Sequence, residues 1–282
     1  MISLRTVTLA ILAAFSFSAC LQQEKLIKLN TDGSGTVEET MVMSKEVIAQ
    51  MKQMSEGFGS LLQGKGGKPE GGGAAPFQIL DEKKLRGAAE KMGDGVTFVS
   101  ATPATTPMGE GYKAIYAFTD INKLKIDQNP GDSMPGADNP MLQKANKTKK
   151  EPVKFEFVKG APASLTVKLP QPKTSDLPKE RPQLPEGGAD MAGAMMQQMF
   201  KDMKISLAIE VAGRIVQSNA EFKEASRVTL MEMDFNKVLA NPEKFKALSA
   251  AQPKTIEEAK ALVKGVDGIK AETQPSVTIK FQ

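Results

Sequence analysis

The chain contains no histidine and a single cysteine, Cys20. The first absence removes the commonest general base and the commonest neutral metal ligand. The second removes intrachain disulfides, CxxC redox pairs and cysteine-rich zinc sites. Tryptophan is absent too, and aromatics make up only 5% of residues. Lysine and arginine (37) barely outnumber aspartate and glutamate (33), and no dense basic stripe occurs, so nucleic acid is not an expected partner. What remains is an ordinary globular composition, 40% hydrophobic and 25% charged. Its 282 residues allow one large domain or two small ones.

The N-terminus is the most informative stretch. Arg5 gives a short positive segment, and Val7 to Phe15 form an apolar run of signal-peptide length, too short to span a bilayer. Small residues Ser18 and Ala19 follow, then Cys20. Phe17-Ser18-Ala19-Cys20 resembles the lipobox of bacterial lipoproteins, with Phe17 where an aliphatic residue is usual.

That resemblance implies cleavage before Cys20, a lipid on its thiol and an acylated new N-terminus. Cys20 would then be a tether and not a nucleophile. One acyl chain gives only marginal membrane binding, at roughly 0.8 kcal/mol per buried methylene, whereas three chains would make release negligible. Leu21 follows the cysteine where Asp would imply inner-membrane retention, so the resemblance implies the outer membrane, facing the periplasm.

Downstream, Glu24–Leu29 and Thr36–Met43 read as two strands around a Gly-containing turn, Asn30 to Gly35. Ser44 reads as the N-cap of a helix with an apolar stripe at Val47, Met51, Met54, Phe58 and Leu61. This opening, strand, Asp32-Gly33-Ser34-Gly35, strand and helix soon after the cysteine, is similar to LppM-like lipoprotein domains. It implies a sheet-and-helix binding module without known catalysis.

Gln63–Pro76 is Gly-rich and cannot bury a core. A short helix is expected at about Glu82–Met92. Strands are expected at Val96–Ser100 and Tyr112–Thr119, with a Thr/Pro/Gly loop between them. Asp127–Lys150 reads as a polar insertion. Val153, Phe155 and Phe157 alternate with charged residues, as do Leu165, Val167 and Leu169 with polar ones: a hairpin, wet on one side. Pro170, Pro172, Pro178, Pro182 and Pro185 mark an extended linker. Further strands are expected at Ile205–Val211, around Val228 and Leu230, and at Val277–Phe281. Helices are expected at Asn236–Ala250 and Thr255–Lys264.

The expected fold class is therefore α+β: an antiparallel sheet built from hairpins, with helices on one face and flexible Gly- and Pro-rich insertions. The expected organisation is a signal peptide (1–19), an N-terminal α+β region (20–169), a Pro-rich linker (170–190) and a C-terminal α+β region (191–282). In this layout the C-terminal strand completes the sheet that the first hairpin begins.

Motifs with a chemical look have structural readings beside them. Asn30, Asp32 and Ser34 take the first, third and fifth places of a calcium loop, but the twelfth is Met41, and a hairpin turn explains the glycines. Gly59 to Gly66 matches GxxxxGK without the Ser/Thr that would hold magnesium. The acid pairs Glu38-Glu39, Asp81-Glu82 and Glu257-Glu258 read as solvated faces or helix N-termini. Met191, Met195, Met196, Met199, Phe200 and Met203 form a flexible apolar helix face, suited to core packing or to a lipid or partner groove.

These readings converge on a membrane-anchored, non-enzymatic binding or structural module of the cell envelope. It would need no cofactor beyond the covalent lipid on Cys20 and no metal. Its partners would be the membrane, through that lipid, and an envelope protein or lipid. The alternative is a carrier of lipid or hydrophobic ligand on the Met-rich face. A carboxylate-dependent hydrolase ranks third, because no acid pair converges by spacing.

Overall fold

The structure is a computed structural model that describes residues 21–49, 52–53, 78–127, 151–173 and 200–282. Strand β1 (Leu21–Leu29) and strand β2 (Gly35–Ser44) form the expected hairpin, paired from Leu21↔Met43 to Leu29↔Gly35. Its turn needs a left-handed residue, and Gly33 supplies it with φ +91°. Asn30, Asp32 and Ser34 spend their side chains on one another there: Asn30 Nδ2 donates to Ser34 Oγ at 3.0 Å, and Ser34 Oγ donates to Asp32 Oδ1 at 2.7 Å. Ser44 ends β2, and its hydroxyl accepts from the Val47 N–H at 3.3 Å, the expected cap of a helical stretch over 45–49. The stripe residues Met51, Met54, Phe58 and Leu61, the GxxxxGK match and the Gly-rich segment lie outside the described residues, as does nearly all of the polar insertion.

Helix α1 (Glu82–Lys91) starts at Asp81, whose carboxylate accepts from the Lys84 N–H at 3.1 Å. It buries Leu85 and Ala89, and its Arg86 guanidinium sits 4.6 Å above the Phe98 ring. Strands β3 (Thr97–Thr105) and β4 (Gly109–Phe118) follow. Here the expected Thr/Pro/Gly loop is mostly strand, and only Thr106 to Gly109 turn the chain. Pro103 misled because it lacks a donor, yet β3 is an edge strand, where a missing donor faces away from the ladder.

Strands β5 (Lys154–Val158) and β6 (Ala163–Lys168) form the second expected hairpin. Then come β7 (Lys204–Val211), β8 (Ile215–Ser218), β9 (Lys223–Glu224) and β10 (Arg227–Asp234). The helix expected over Asn236–Ala250 is two helices, α2 (Phe235–Leu239) and α3 (Pro242–Ala250). Pro242 cannot sit inside a helix but fits the first turn of a new one, and Asn241 caps that turn through Lys244 N at 3.0 Å. Helix α4 (Ile256–Val263) is capped as its sequence suggests: Thr255 Oγ1 accepts from Glu258 N at 3.1 Å. Strands β11 (Ile269–Ala271) and β12 (Ser276–Phe281) complete the chain.

Among the described residues these strands make an eight-stranded sheet, ordered β11-β10-β7-β1-β2-β4-β3 with β9 on β10, and a four-stranded sheet, β5-β6-β12-β8. The class is mixed helix and strand, dominated by strands. Two expectations about the sheet are corrected. First, β1 and β7 run parallel, so the large sheet is mixed and not purely antiparallel. Parallel neighbours need a long crossover, and more than 170 residues separate these two in sequence. Second, β12 lies between β6 and β8 in the smaller sheet, not beside the first hairpin.

The buried residues of both sheets form one cluster. Ile27, Leu29, Val37 and Ile209 from the large sheet meet Phe155, Leu165, Val277 and Phe281 from the small one. Among the described residues the large sheet's apolar face is thus met by a second sheet together with α1. The sequence does not announce this, because a half-buried strand alternates in the same way whether a helix or a sheet covers it.

Candidate functional site

Alternation along β1, β2 and β4 sends Gln23, Lys25, Glu39, Tyr112 and Tyr116 to the same inward face as Ile27, Val37 and Met41. Lys25 and Glu39 are direct cross-strand partners, and Glu39 pairs on its other side with Ala114. The small Ala114 side chain lies between Tyr112 and Tyr116 on β4 and leaves room for large rings on either side of Glu39. Tyr112 OH donates to Glu39 Oε1 at 3.0 Å, and Lys25 Nζ lies 3.3 Å from Glu39 Oε2. The Glu39 side chain is only 4% exposed, so a full carboxylate sits inside the sheet's apolar layer.

Burial, with the negative charge of Glu39 beside them, pushes both phenols well above the usual tyrosine range. Two polar atoms in this layer, Gln23 Nε2 and Tyr116 OH, have no hydrogen-bond partner among the described residues. The arrangement is a polar lock across three strands. It fixes the β1–β2–β4 register, since a one-residue slip would turn Lys25 and Glu39 to the opposite face. A phenol that holds its proton far into alkali is a poor proton donor at neutral pH, and the carboxylate is already engaged by an ammonium and a hydroxyl.

The neighbouring acid behaves differently. Glu38 points to the outer face, where Lys28 Nζ is 2.6 Å from one oxygen and Lys113 Nζ is 2.8 Å from the other. Partial burial pushes the Glu38 carboxyl up, but the two ammoniums outweigh it and hold the group below the usual glutamate range. The pair Glu38-Glu39 therefore does not converge: one carboxylate lies on the outer face and its neighbour faces the core. The expectation of a solvated face fails for Glu39, and Glu38 is itself only 16% exposed. Replacing Glu38 with glutamine is expected to change stability by less than about 1 kcal/mol, because both lysines are nearly half exposed. A carboxyl with a lowered folded pKa stabilises above the unfolded pKa and loses that contribution as pH falls through the folded value. Acid titrations of thermal stability on the two proteins should therefore show their difference near neutral pH and converge at the acid end, once pH has fallen through the folded value.

The remaining acid pairs are local. Asp81 caps α1, and the Glu258 carboxylate accepts from the Lys254 N–H at 2.7 Å ahead of α4. Among the described residues no group of three or more Asp, Glu, His or Cys side chains is placed to hold a metal ion. None of the described helices is long and apolar enough to cross a membrane. A pocket of about 100 Å³ between α4 and β11, with Lys260, Val263, Ile269 and Phe222 in its wall, is well below the few hundred Å³ that small-molecule sites occupy. Lys260 is committed there, donating to the Thr273 carbonyl at 2.8 Å.

Of the residues singled out in the sequence, Cys20, Met191, Met195, Met196 and Met199 lie outside the described residues. Phe200 and Met203 are described and half-buried. The Phe200 ring stacks on Phe235 at the start of α2, with centroids 4.6 Å apart and planes 11° from parallel. The Met203 carbonyl accepts from the Phe235 N–H at 3.0 Å. The buried lock was not among the expected sites, although its signal is in the sequence. Glu39 falls in step with Val37, Met41 and Met43, and Lys25 in step with Ile27 and Leu29. A charge at an inward step of two strands is visible once both strands are set in register.

No protein-family model and no curated protein matches the chain. Among solved structures it is similar to the folded domain of the Mycobacterium tuberculosis LppM protein, determined by NMR. The alignment covers 94% of this chain and 91% of that one, at 9% sequence identity and a TM-score of 0.30. At those values no function carries across from that protein.

Proposed function

We propose that the mature protein begins at Cys20, is anchored to the bacterial envelope by lipid on that residue, and acts there as a non-enzymatic binding or structural module. The observation that carries this reading is the cysteine's setting. An apolar segment and two small residues precede Cys20, and strand β1 starts at the very next residue. A cysteine in that place is spent on attachment. The reading of non-enzymatic function is supported by the three acid pairs singled out in the sequence, whose members cap a helix, accept ahead of one, pair on the outer face or are locked in the core. Leu21 after the cysteine supports the outer membrane as the address, facing the periplasm.

Mass analysis of the mature N-terminus tests the reading. The native chain should start at Cys20, carry acyl chains and partition into detergent. Cys20→Ser should remain unlipidated and lose that partition. A native chain that keeps Met1 and a free thiol would overturn the proposal.

A second reading, a carrier for lipid or another hydrophobic ligand, is favoured by one feature. The segment with Met191, Met195, Met196 and Met199 joins the described structure at Phe200, and Gln22↔Lys204 pairing brings that junction beside the start of β1. Lipid retained through purification of the soluble Cys20→Ser chain, and lost on replacing those methionines with serine, would select it.

A further inference from the structure

The start of β1 is docked from its first residue. Leu21 is buried and pairs with Met43, and Gln22 pairs with Lys204. Cys20 is then one Cα step, about 3.8 Å, from the sheet. A stalk of n residues would let a tethered domain wander by up to about 3.5 Å per residue. Here there is no stalk, and the strand next to the tether is held on both sides. Whatever holds Cys20 therefore holds the sheet, and holds it by one end.

The register says which groups share that end. Glu110 pairs with Met43, and the turn Thr106 to Gly109 lies just beyond it. On the other side Asp234 pairs with Lys204, and Phe235 follows. With strands about 4.8 Å apart, these positions form one row within two strand spacings of Leu21. At the opposite end, roughly 26 Å away along the nine residues of β1, lie the Gly33 turn, Thr119 and Arg214.

We propose that this row of strand ends, the Thr106 to Gly109 turn, Leu21 with Met203, and Phe235, rests against the phospholipid bilayer, so that the large sheet stands on the membrane with its Gly33 end outermost. The inference rests on lipid attachment at Cys20. The occupant follows from where the chain outside the described residues is fastened: a lipidated Cys20 one residue from a central strand holds this row close to the bilayer, at the end where the helical stretch over 45–49 leaves β2. Half-buried Met108, Phe200 and Phe235 offer apolar contact there. Charge offers little, since Lys45, Lys201 and Lys237 at this end are matched in number by Glu46, Glu110 and Asp202. The orientation is accordingly set by the tether and not by attraction to anionic lipid.

The test uses the full lipidated chain. Its natural cysteine is consumed by lipid, so one added cysteine takes a fluorophore uniquely. Met108→Cys and Lys201→Cys report the proposed membrane end, and Thr119→Cys and Arg214→Cys the outer end. Each is reconstituted in phosphatidylcholine vesicles containing a nitroxide-headgroup lipid, with and without phosphatidylglycerol, after its thermal midpoint is shown to be unchanged. Quenching severalfold stronger at Met108→Cys and Lys201→Cys than at the other two, in both lipid mixtures, is the expected result. Equal quenching at all four positions in chains that carry lipid and float with vesicles overturns the orientation and leaves the anchor standing. A gradient seen only with phosphatidylglycerol at low salt overturns the tether as its cause. Chains that neither float nor carry lipid overturn the anchor and the orientation together.

Discussion

Lys25→Met should destabilise the fold by about 3–5 kcal/mol, the range for removing one partner of a buried ion pair. Glu39 is then left in the inner layer with the Tyr112 hydroxyl but without the ammonium 3.3 Å away. Glu39→Met should also destabilise, because Lys25, only 12% exposed, loses the carboxylate 3.3 Å away. The double variant Lys25→Met/Glu39→Met should recover most of the loss, since an apolar pair of similar volume removes both desolvation penalties. Denaturant unfolding of the four proteins measures this. Single variants that lose less than about 1 kcal/mol would mean that water reaches the pair and that the lock contributes little to register.

Much of this fold can be read from local pattern. Both hairpins, the caps at Ser44, Asp81 and Thr255, and strands β7, β10 and β12 rest on nearest-neighbour chemistry: alternation, a turn glycine, a capping oxygen. What escapes is long-range. Nothing in residues 21–29 says that the other neighbour of β1 is a parallel strand starting at Lys204. Nothing in Val277, Ile279 and Phe281 says that they belong to the second sheet. Short strands such as β8, β9 and β11 carry too few residues for a period to emerge. The candidate site falls between these cases. Glu39 is legible as an inward charge only after Glu38 and Glu39 are assigned to opposite faces of one strand. Read simply as adjacent acids they look like surface. The proposed anchor, Cys20, lies outside the described residues, and its signal, Phe17-Ser18-Ala19-Cys20, is contiguous in the sequence.

Alkaline titration should show the same lock from its phenolic side. The chain has only two tyrosines and no tryptophan, and both tyrosines, Tyr112 and Tyr116, are buried beside Glu39. In the unfolded chain each phenol ionises near pH 10. In the folded chain burial, and then the Glu39 charge, raise both. Below about pH 10 both states hold the protons, and the full stability is present. As pH rises further the unfolded state releases protons that the folded state keeps, so stability falls, by up to about 2.7 kcal/mol per pH unit for the two groups together. Phenolate absorbance should therefore stay flat above pH 10 and rise only with the loss of far-ultraviolet circular dichroism. A phenolate signal that climbs near pH 10 while the fold persists would overturn the buried placement. The two hydroxyls should separate on mutation. Tyr112→Phe removes a hydrogen bond to a charged group and should cost about 1.5–3 kcal/mol. The Tyr116 hydroxyl has no partner to lose among the described residues, so Tyr116→Phe relieves an unmet polar atom in the core and should be neutral or stabilising. Each variant retains one raised phenol, so each should halve the phenolic part of the alkaline slope, and that halving ties the slope to these two rings.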